Sequence, residues 1–154
     1  MTEIKRKVIV NNQAFFDYIA PFLEEGRQVS FLIKGESMRP FLFEGDKVLI
    51  KKPLGRPWKM GDLILARWQD NYVLHRLVKR KKGMLGLAGD ANFVQIEWVK
   101  DTDIIAVALS ASRNDKQVYD AADPLQRIQG MSWYYLRPLR RALAKLKKIE
   151  KFGL

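Results

Sequence analysis

Short stretches of alternating apolar and polar residues run through most of the chain and predict half-buried β-strands. Turns rich in glycine, proline, asparagine and aspartate separate these stretches. The predicted strands cover residues 28–34, 46–52, 63–68, 71–78, 84–88, 92–99 and 104–110. Many short strands joined by polar turns indicate a mainly β fold, built as a coiled and mostly antiparallel β domain.

A helical pattern precedes the first of these strands. Five apolar residues recur at the spacing of one helix face: Phe15, Phe16, Ile19, Phe22 and Leu23. We expect a helix that begins near Asn12 and ends near Glu25, with Gly26 as its stop. Pro21 lies inside the pattern and is expected to kink or split the helix. Residues 1–10 predict a short strand or an extended lead-in.

The end of the chain has a second helical pattern, and it is strongly basic. Its apolar residues share one helix face: Leu139, Ala142, Leu143, Leu146 and Ile149. Residues 131–154 contain seven lysines and arginines and one glutamate, so they carry +6 of the total charge of +11. Such a basic amphipathic helix fits the surface of an anionic membrane. The alternative is a C-terminal helix that docks on the domain or frays.

Composition narrows the organisation of the chain and its chemistry. An apolar fraction of 47% over 154 residues predicts a folded core rather than disorder. We divide the chain into a β domain with its N-terminal helix, residues 1–111, and a linker and basic helical tail, residues 112–154. The chain has no cysteine and one histidine, which excludes thiolate and histidine-rich metal sites, and we expect no metal or cofactor. Neither a secretory signal nor a membrane-spanning helix is expected.

One loop between two predicted strands has the chemistry to present a hydroxyl group. Glycine, serine and proline fall within six positions, as Gly35-Glu36-Ser37-Met38-Arg39-Pro40. A serine becomes a good nucleophile when a base takes its proton. The only histidine, His75, lies in the predicted strand at residues 71–78, and imidazole titrates near neutral pH. Ser37 and His75 are therefore the candidate nucleophile and general base.

Four ordered sequence boxes resemble the peptidases of clans S24 and S26, which include signal peptidases and self-cleaving repressors. They are Gly35–Pro40 with Glu44–Val48, then Gly61-Asp62, His75-Arg76 and Gly89-Asp90-Ala91-Asn92. The resemblance covers about residues 28–110. It implies a β domain of the signal peptidase and repressor-cleavage type, and a serine endopeptidase that cleaves a leader, signal or precursor peptide. Bacterial signal peptidases and repressors carry a lysine at the position of His75, so the chain is more similar to the archaeal and endoplasmic-reticulum branch.

The resemblance also implies roles for other residues near the serine. The Ser37 backbone N–H would stabilise the oxyanion, and Gly35 stands where some signal peptidases carry a hydroxyl group. Met38 would pack under the serine loop and Pro40 would stiffen it. Asp90 would orient His75 or hold its loop. The additional aspartate typical of the histidine branch is missing, so Glu97 is the alternative third residue.

The same resemblance implies that a peptide or protein substrate binds as an extended strand beside the serine strand. A catalytically silent peptide-binding or membrane-adaptor protein of the same fold is one alternative function. A nucleic-acid-binding module is another, suggested by the charge of +11. Nucleic acid is not the expected partner, because the charge is concentrated in the tail and no nucleic-acid-binding motif is present. We expect a cytoplasmic protein, peripheral at the inner face of the membrane if residues 131–154 bind lipid.

Overall fold

The computed structural model describes residues 12–55 and 57–151, which fold around one antiparallel sheet of eight strands. The strands are β1 (Val29–Leu32), β2 (Lys47–Lys51), β3 (Leu63–Trp68), β4 (Asn71–Lys81), β5 (Met84–Ala88), β6 (Glu97–Lys100), β7 (Ile104–Arg113) and β8 (Lys116–Asp120). Their order is β1-β2-β7-β3-β4-β5-β6, and β8 pairs with β7. This arrangement confirms the predicted mainly β, antiparallel fold. The lead-in predicted for residues 1–10 lies outside the described residues.

Three α-helices pack around the sheet: α1 (Asn12–Glu24), α2 (Pro124–Tyr135) and α3 (Arg137–Lys151). Helix α1 buries Phe16, Ile19 and Leu23, which lie on one face at helical spacing. It runs through Pro21 without a break, although the proline ring removes one backbone donor. Burial of the apolar face against the sheet stabilises the helix despite that loss. None of the described helices is both long and apolar enough to cross a lipid bilayer.

The apolar interior forms two clusters on the two faces of the sheet. The larger cluster joins α1 to strands β1, β2 and β7, and it includes Met38 and Leu42 from the loop that carries Ser37. The smaller cluster gathers residues of β3, β4, β5 and β6, with Leu77 and Leu87 fully buried. The serine loop is therefore anchored directly in the main core.

The C-terminal third is more structured than its polar sequence predicts. Residues 112–130, assigned to the linker and tail, contain the end of β7, all of β8 and the first half of α2. Asp123 caps α2 by accepting a hydrogen bond from the Leu125 backbone N–H, and Pro124 occupies the first helical turn. Strand β6 is shorter than the strand predicted for residues 92–99, because it begins at Glu97.

Candidate active site

The loop between β1 and β2 exposes Ser37 to solvent, while hydrogen bonds at its base and a buried side chain hold its backbone in place. At its base, the Ile33 N–H donates to the Asp46 carbonyl and the Gly45 N–H donates to the Ile33 carbonyl, both at 2.8 Å. Gly35 has a φ of +85°, a conformation in which a side chain would be strained. Met38 is buried beneath the loop while Ser37 itself is exposed. The loop therefore combines a fixed backbone with an accessible hydroxyl group.

Strand β4 brings His75 against this hydroxyl group. His75 pairs with Ile64 of β3, so its backbone is fixed within the sheet. Its Nε2 atom lies 3.1 Å from the Ser37 Oγ atom. The two residues predicted as nucleophile and base, 38 positions apart in sequence, are thus within hydrogen-bond distance.

The other imidazole nitrogen of His75 contacts Glu97, the first residue of β6. His75 Nδ1 and Glu97 Oε2 are 2.9 Å apart, and only 4% of the Glu97 side chain is exposed. A carboxylate accepts hydrogen bonds and does not donate them, so Nδ1 carries the proton in this contact. Nε2 is then left with its lone pair toward Ser37, which is the tautomer that a general base requires.

Asp90 does not contact the His75 ring in this way, because its carboxylate is bound by Arg76. The Arg76 Nε and NH2 groups donate to Asp90 Oδ1 and Oδ2, each at 2.7 Å. His75 and Arg76 are consecutive residues of β4, so their side chains point to opposite faces of the strand. The structure thus brings the Glu97 carboxylate to the His75 Nδ1 atom, while the Asp90 carboxylate binds Arg76. Burial raises the pKa of Asp90, while the hydrogen bonds from Arg76 oppose that rise.

The Arg76–Asp90 pair is almost completely buried beneath α2. Only 1% of the Arg76 side chain and 2% of the Asp90 side chain are exposed. A third Arg76 group, NH1, donates to the Gly61 carbonyl at 3.0 Å. Gly130 of α2 lies directly on the guanidinium, since a Cβ atom there would stand 2.2 Å from it. The pair thereby joins β4, the Asp90 loop and α2.

The loop at residues 89–92 is pressed against the serine and the histidine. A Cβ atom on Gly89 would lie 2.7 Å from the Ser37 carbonyl oxygen and 3.2 Å from His75 Nε2. The Ala91 N–H donates to the same Ser37 carbonyl at 3.0 Å. Glycine at position 89 therefore permits a close approach that fixes the serine backbone beside the histidine.

Both C-terminal helices bind the back of this loop. Trp133 of α2 donates from Nε1 to the Asp90 carbonyl at 2.9 Å, and Arg140 of α3 donates to the same oxygen at 3.2 Å. Arg137 donates to the Asn92 carbonyl at 3.0 Å and to the Gln95 carbonyl at 2.9 Å. No sequence pattern predicts these contacts, because backbone carbonyls that accept from distant side chains leave no motif.

Two further aspartates, Asp46 and Asp62, accept hydrogen bonds from backbone N–H groups of turns near the site. Asp46 accepts a hydrogen bond from the Phe43 N–H at 2.8 Å and is bound by Arg113 at 2.7 and 2.8 Å. The hydrogen bonds from Arg113 lower the pKa of Asp46, although burial acts in the opposite direction. Asp62 accepts from the Lys59 N–H at 2.9 Å. Pro40 lies in the turn after Ser37, and its peptide bond with Arg39 is cis.

Across residues 12–55 and 57–151, no group of three or more histidine, aspartate or glutamate side chains is placed to hold a metal ion. The site consists instead of an exposed hydroxyl group, an imidazole and a buried carboxylate in hydrogen-bonded series. This arrangement can move a proton from the serine to the histidine and stabilise the resulting imidazolium.

Comparison with known proteins gives one family. Residues 4–109 match the family model described as Peptidase S24-like. The matched segment contains Ser37, His75, Asp90 and Glu97, and it ends before β8 and the C-terminal helices. No curated protein matches the chain.

Proposed function

Because this chain belongs to the Peptidase S24-like family, we propose that it is a serine endopeptidase that cleaves a leader, signal or precursor peptide. Ser37 is the nucleophile, His75 the general base and Glu97 the residue that orients His75. The observation that carries the proposal is the continuous series of contacts, from Ser37 Oγ to His75 Nε2 at 3.1 Å and from His75 Nδ1 to Glu97 at 2.9 Å.

Each residue has a distinct step in the reaction. Ser37 Oγ attacks the carbonyl carbon of the scissile peptide bond while His75 Nε2 takes the hydroxyl proton. The tetrahedral intermediate collapses to an acyl-enzyme, and the same Nε2 gives its proton to the leaving amine. A water molecule, deprotonated by His75, then attacks the acyl carbon and releases the second product. Glu97 stabilises the imidazolium that forms in both halves of the reaction.

The oxyanion of the tetrahedral intermediate needs a pre-organised donor. The backbone N–H of Ser37 belongs to the residue that carries the nucleophile, and two features hold that backbone in place. Its carbonyl accepts the Ala91 N–H, and Met38 anchors the next position in the core. Gly35 supplies no hydroxyl group, so a second donor would come from another part of the site.

The edge position of β1 supports binding of an extended substrate. Within the described chain β1 pairs with β2 and is the terminal strand of the sheet. A peptide that adds a strand along β1 gains backbone hydrogen bonds, and its path then leads to the loop that carries Ser37. The proposed binding partner is therefore the substrate itself, a protein or peptide that binds as an extended strand beside β1.

The proposal is tested with a diverse peptide mixture and mass spectrometry of the new termini. Wild type, Ser37→Ala and Ser132→Ala are compared, since Ser132 is an exposed serine that lies on α2 and not in the serine loop. We expect new termini with wild type and Ser132→Ala, and none above background with Ser37→Ala. Identical profiles for wild type and Ser37→Ala would contradict the proposal and favour a catalytically silent peptide-binding protein.

A further inference from the structure

Helix α3 docks on the domain through its polar face and turns its apolar face to solvent. Arg137 and Arg140 contact the 89–95 loop, and Ala144 on the same side is half-buried. The large apolar side chains of this region are exposed: Leu136 46%, Leu139 57%, Leu143 49% and Leu146 57%. A surface helix of a globular protein normally buries its apolar face against the core. The orientation of α3 is the reverse.

The exposed leucines form a single stripe with basic borders. Leu139, Leu143 and Leu146 are spaced by four and three residues, so they lie above one another on the helix. Helical periodicity places Lys145 on one side of this stripe and Lys147 on the other, and both are exposed. Long basic side chains beside an apolar stripe can extend toward phosphate groups while the leucines enter acyl chains.

We propose that this leucine stripe, Leu139–Leu146 with its lysine borders, docks on the surface of an anionic lipid bilayer. The helix lies in the plane of the interface, with the leucines among the upper acyl chains and the lysines at the lipid phosphates. The exposed positive charges of Lys145 and Lys147 beside the leucines match an anionic surface. The same charges oppose pairing of two stripes from two copies of the chain, because that contact would bring like charges together.

This docking would also set the position of the serine loop relative to the bilayer. Arg137 and Arg140 fasten α3 to the 89–95 loop, and the Ala91 N–H of that loop binds the Ser37 carbonyl. A bilayer bound to the outer face of α3 therefore lies on the far side of the helix from those contacts. Lipid binding by α3 goes beyond the proposed peptide cleavage, and it does not depend on whether the protein cleaves peptides.

The test is flotation of the full chain with two kinds of vesicle. One kind is pure phosphatidylcholine, and the other contains about a third phosphatidylglycerol. We expect wild type to bind the anionic vesicles, to bind the neutral ones at least about 10-fold more weakly, and to be released by high salt. Leu139→Ser/Leu143→Ser/Leu146→Ser should weaken anionic binding by at least about 100-fold. Lys145→Gln/Lys147→Gln should weaken it by about 30-fold.

Matched controls distinguish binding through this surface from nonspecific hydrophobic adsorption and from nonspecific electrostatic attraction to the vesicles. Leu54→Ser changes a leucine that is 79% exposed elsewhere, and Lys79→Gln/Lys81→Gln/Lys82→Gln removes three exposed charges at the β4–β5 turn. Both controls should bind as wild type does, and circular dichroism should show every variant folded. Ser37→Ala should also bind as wild type does, which keeps this result independent of peptidase activity.

Three results would overturn the proposal. The first is wild-type protein that does not float with anionic vesicles. The second is binding that the leucine variant leaves unchanged. The third is a dimer in light scattering that the leucine variant dissolves without any vesicle binding by wild type, which would assign the stripe to a second copy of the chain.

Discussion

Arg76 and Asp90 form a buried, two-point hydrogen-bonded pair, and Arg76 directly follows His75 in β4. One face of this strand therefore carries the imidazole, and the other carries the cation that holds the neighbouring loop. The pair links the strand that carries His75 to α2 and α3 through the Asp90 loop. Two acidic residues near the site, Glu97 and Asp90, thus have separate tasks that substitution should distinguish.

Glu97→Gln is expected to reduce the rate of the chemical step while the protein stays folded. The amide removes the negative charge that stabilises the imidazolium and can favour the wrong imidazole tautomer. The expected loss in kcat is roughly 10²- to 10⁴-fold, with a smaller change in KM. Steady-state kinetics on a peptide from the cleavage screen measures this effect. A Glu97→Gln enzyme with wild-type kcat would show that Glu97 does not assist His75.

Arg76→Met is expected to act on stability first. It leaves the buried Asp90 carboxylate without its partner, which typically costs about 3–5 kcal/mol in the free energy of unfolding. Urea denaturation followed by circular dichroism measures that loss. The double variant Arg76→Met/Asp90→Leu removes both charges and should recover part of it. A single variant as stable as wild type would contradict the structural role of the pair.

Gly89→Ala is expected to separate Ser37 from His75. The added methyl group would meet the Ser37 carbonyl at 2.7 Å, and a backbone atom cannot move aside cheaply. A displacement of about 1 Å at the reacting atoms can cost about 100-fold in rate. Cleavage kinetics would report this loss, with Ala91→Gly as a control that changes the same loop without adding atoms. Full activity of Gly89→Ala would show that the close approach is not required.

The Asp46–Arg113 pair is expected to contribute to stability at neutral pH and to lose that contribution in acid. The hydrogen bonds from Arg113 lower the pKa of folded Asp46 below its ordinary value of 3.8. A lowered pKa in the folded state stabilises the protein above the unfolded pKa, and the effect disappears as pH falls through the folded value. Urea midpoints of wild type and Arg113→Gln should therefore differ at pH 6, and the difference should begin to shrink near pH 4 and close as the pH falls through the lower pKa of folded Asp46. A constant difference across this range would contradict the assignment.

Local patterns in the sequence predict most of the sheet and single out Ser37 and His75 as the candidate nucleophile and base. The bounds of β3 and β5 agree with the predicted segments, because each strand is a short, mostly apolar and mostly buried run between turn residues. Ser37 and His75 are also predicted, since one serine loop and one histidine restrict the choice. Their separation of 3.1 Å is a property of the folded sheet and needs the structure.

The choice between Asp90 and Glu97 is not available from the sequence alone. Both residues follow His75 within 22 positions, and the side of the strand that each one reaches depends on long-range pairing. Strand β8 is missed for a related reason. Of its five residues only Tyr119 is buried, so the segment has no alternating pattern and depends on pairing with β7. That burial raises the pKa of Tyr119 to about 12.

Docking of α3 on the domain is one of the two alternatives that the sequence leaves open, but docking through the polar face is not predicted, because an amphipathic helix is expected to pack through its apolar face. Here Arg137 is buried against backbone carbonyls, and the leucines are exposed. An arginine with several donors can satisfy carbonyls at the end of a loop, which makes a polar face suitable for docking. No periodicity in the sequence distinguishes that arrangement from the usual one.

The most direct test of the central claim is the single-turnover rate of one cleavable peptide with wild type, Ser37→Ala and Ser132→Ala. Excess enzyme removes the effects of product release, so the rate reports bond cleavage itself. We predict a loss of at least about 1,000-fold in Ser37→Ala and an unchanged rate in Ser132→Ala. A Ser37→Ala protein that cleaves the peptide at the wild-type rate would contradict Ser37 as the nucleophile.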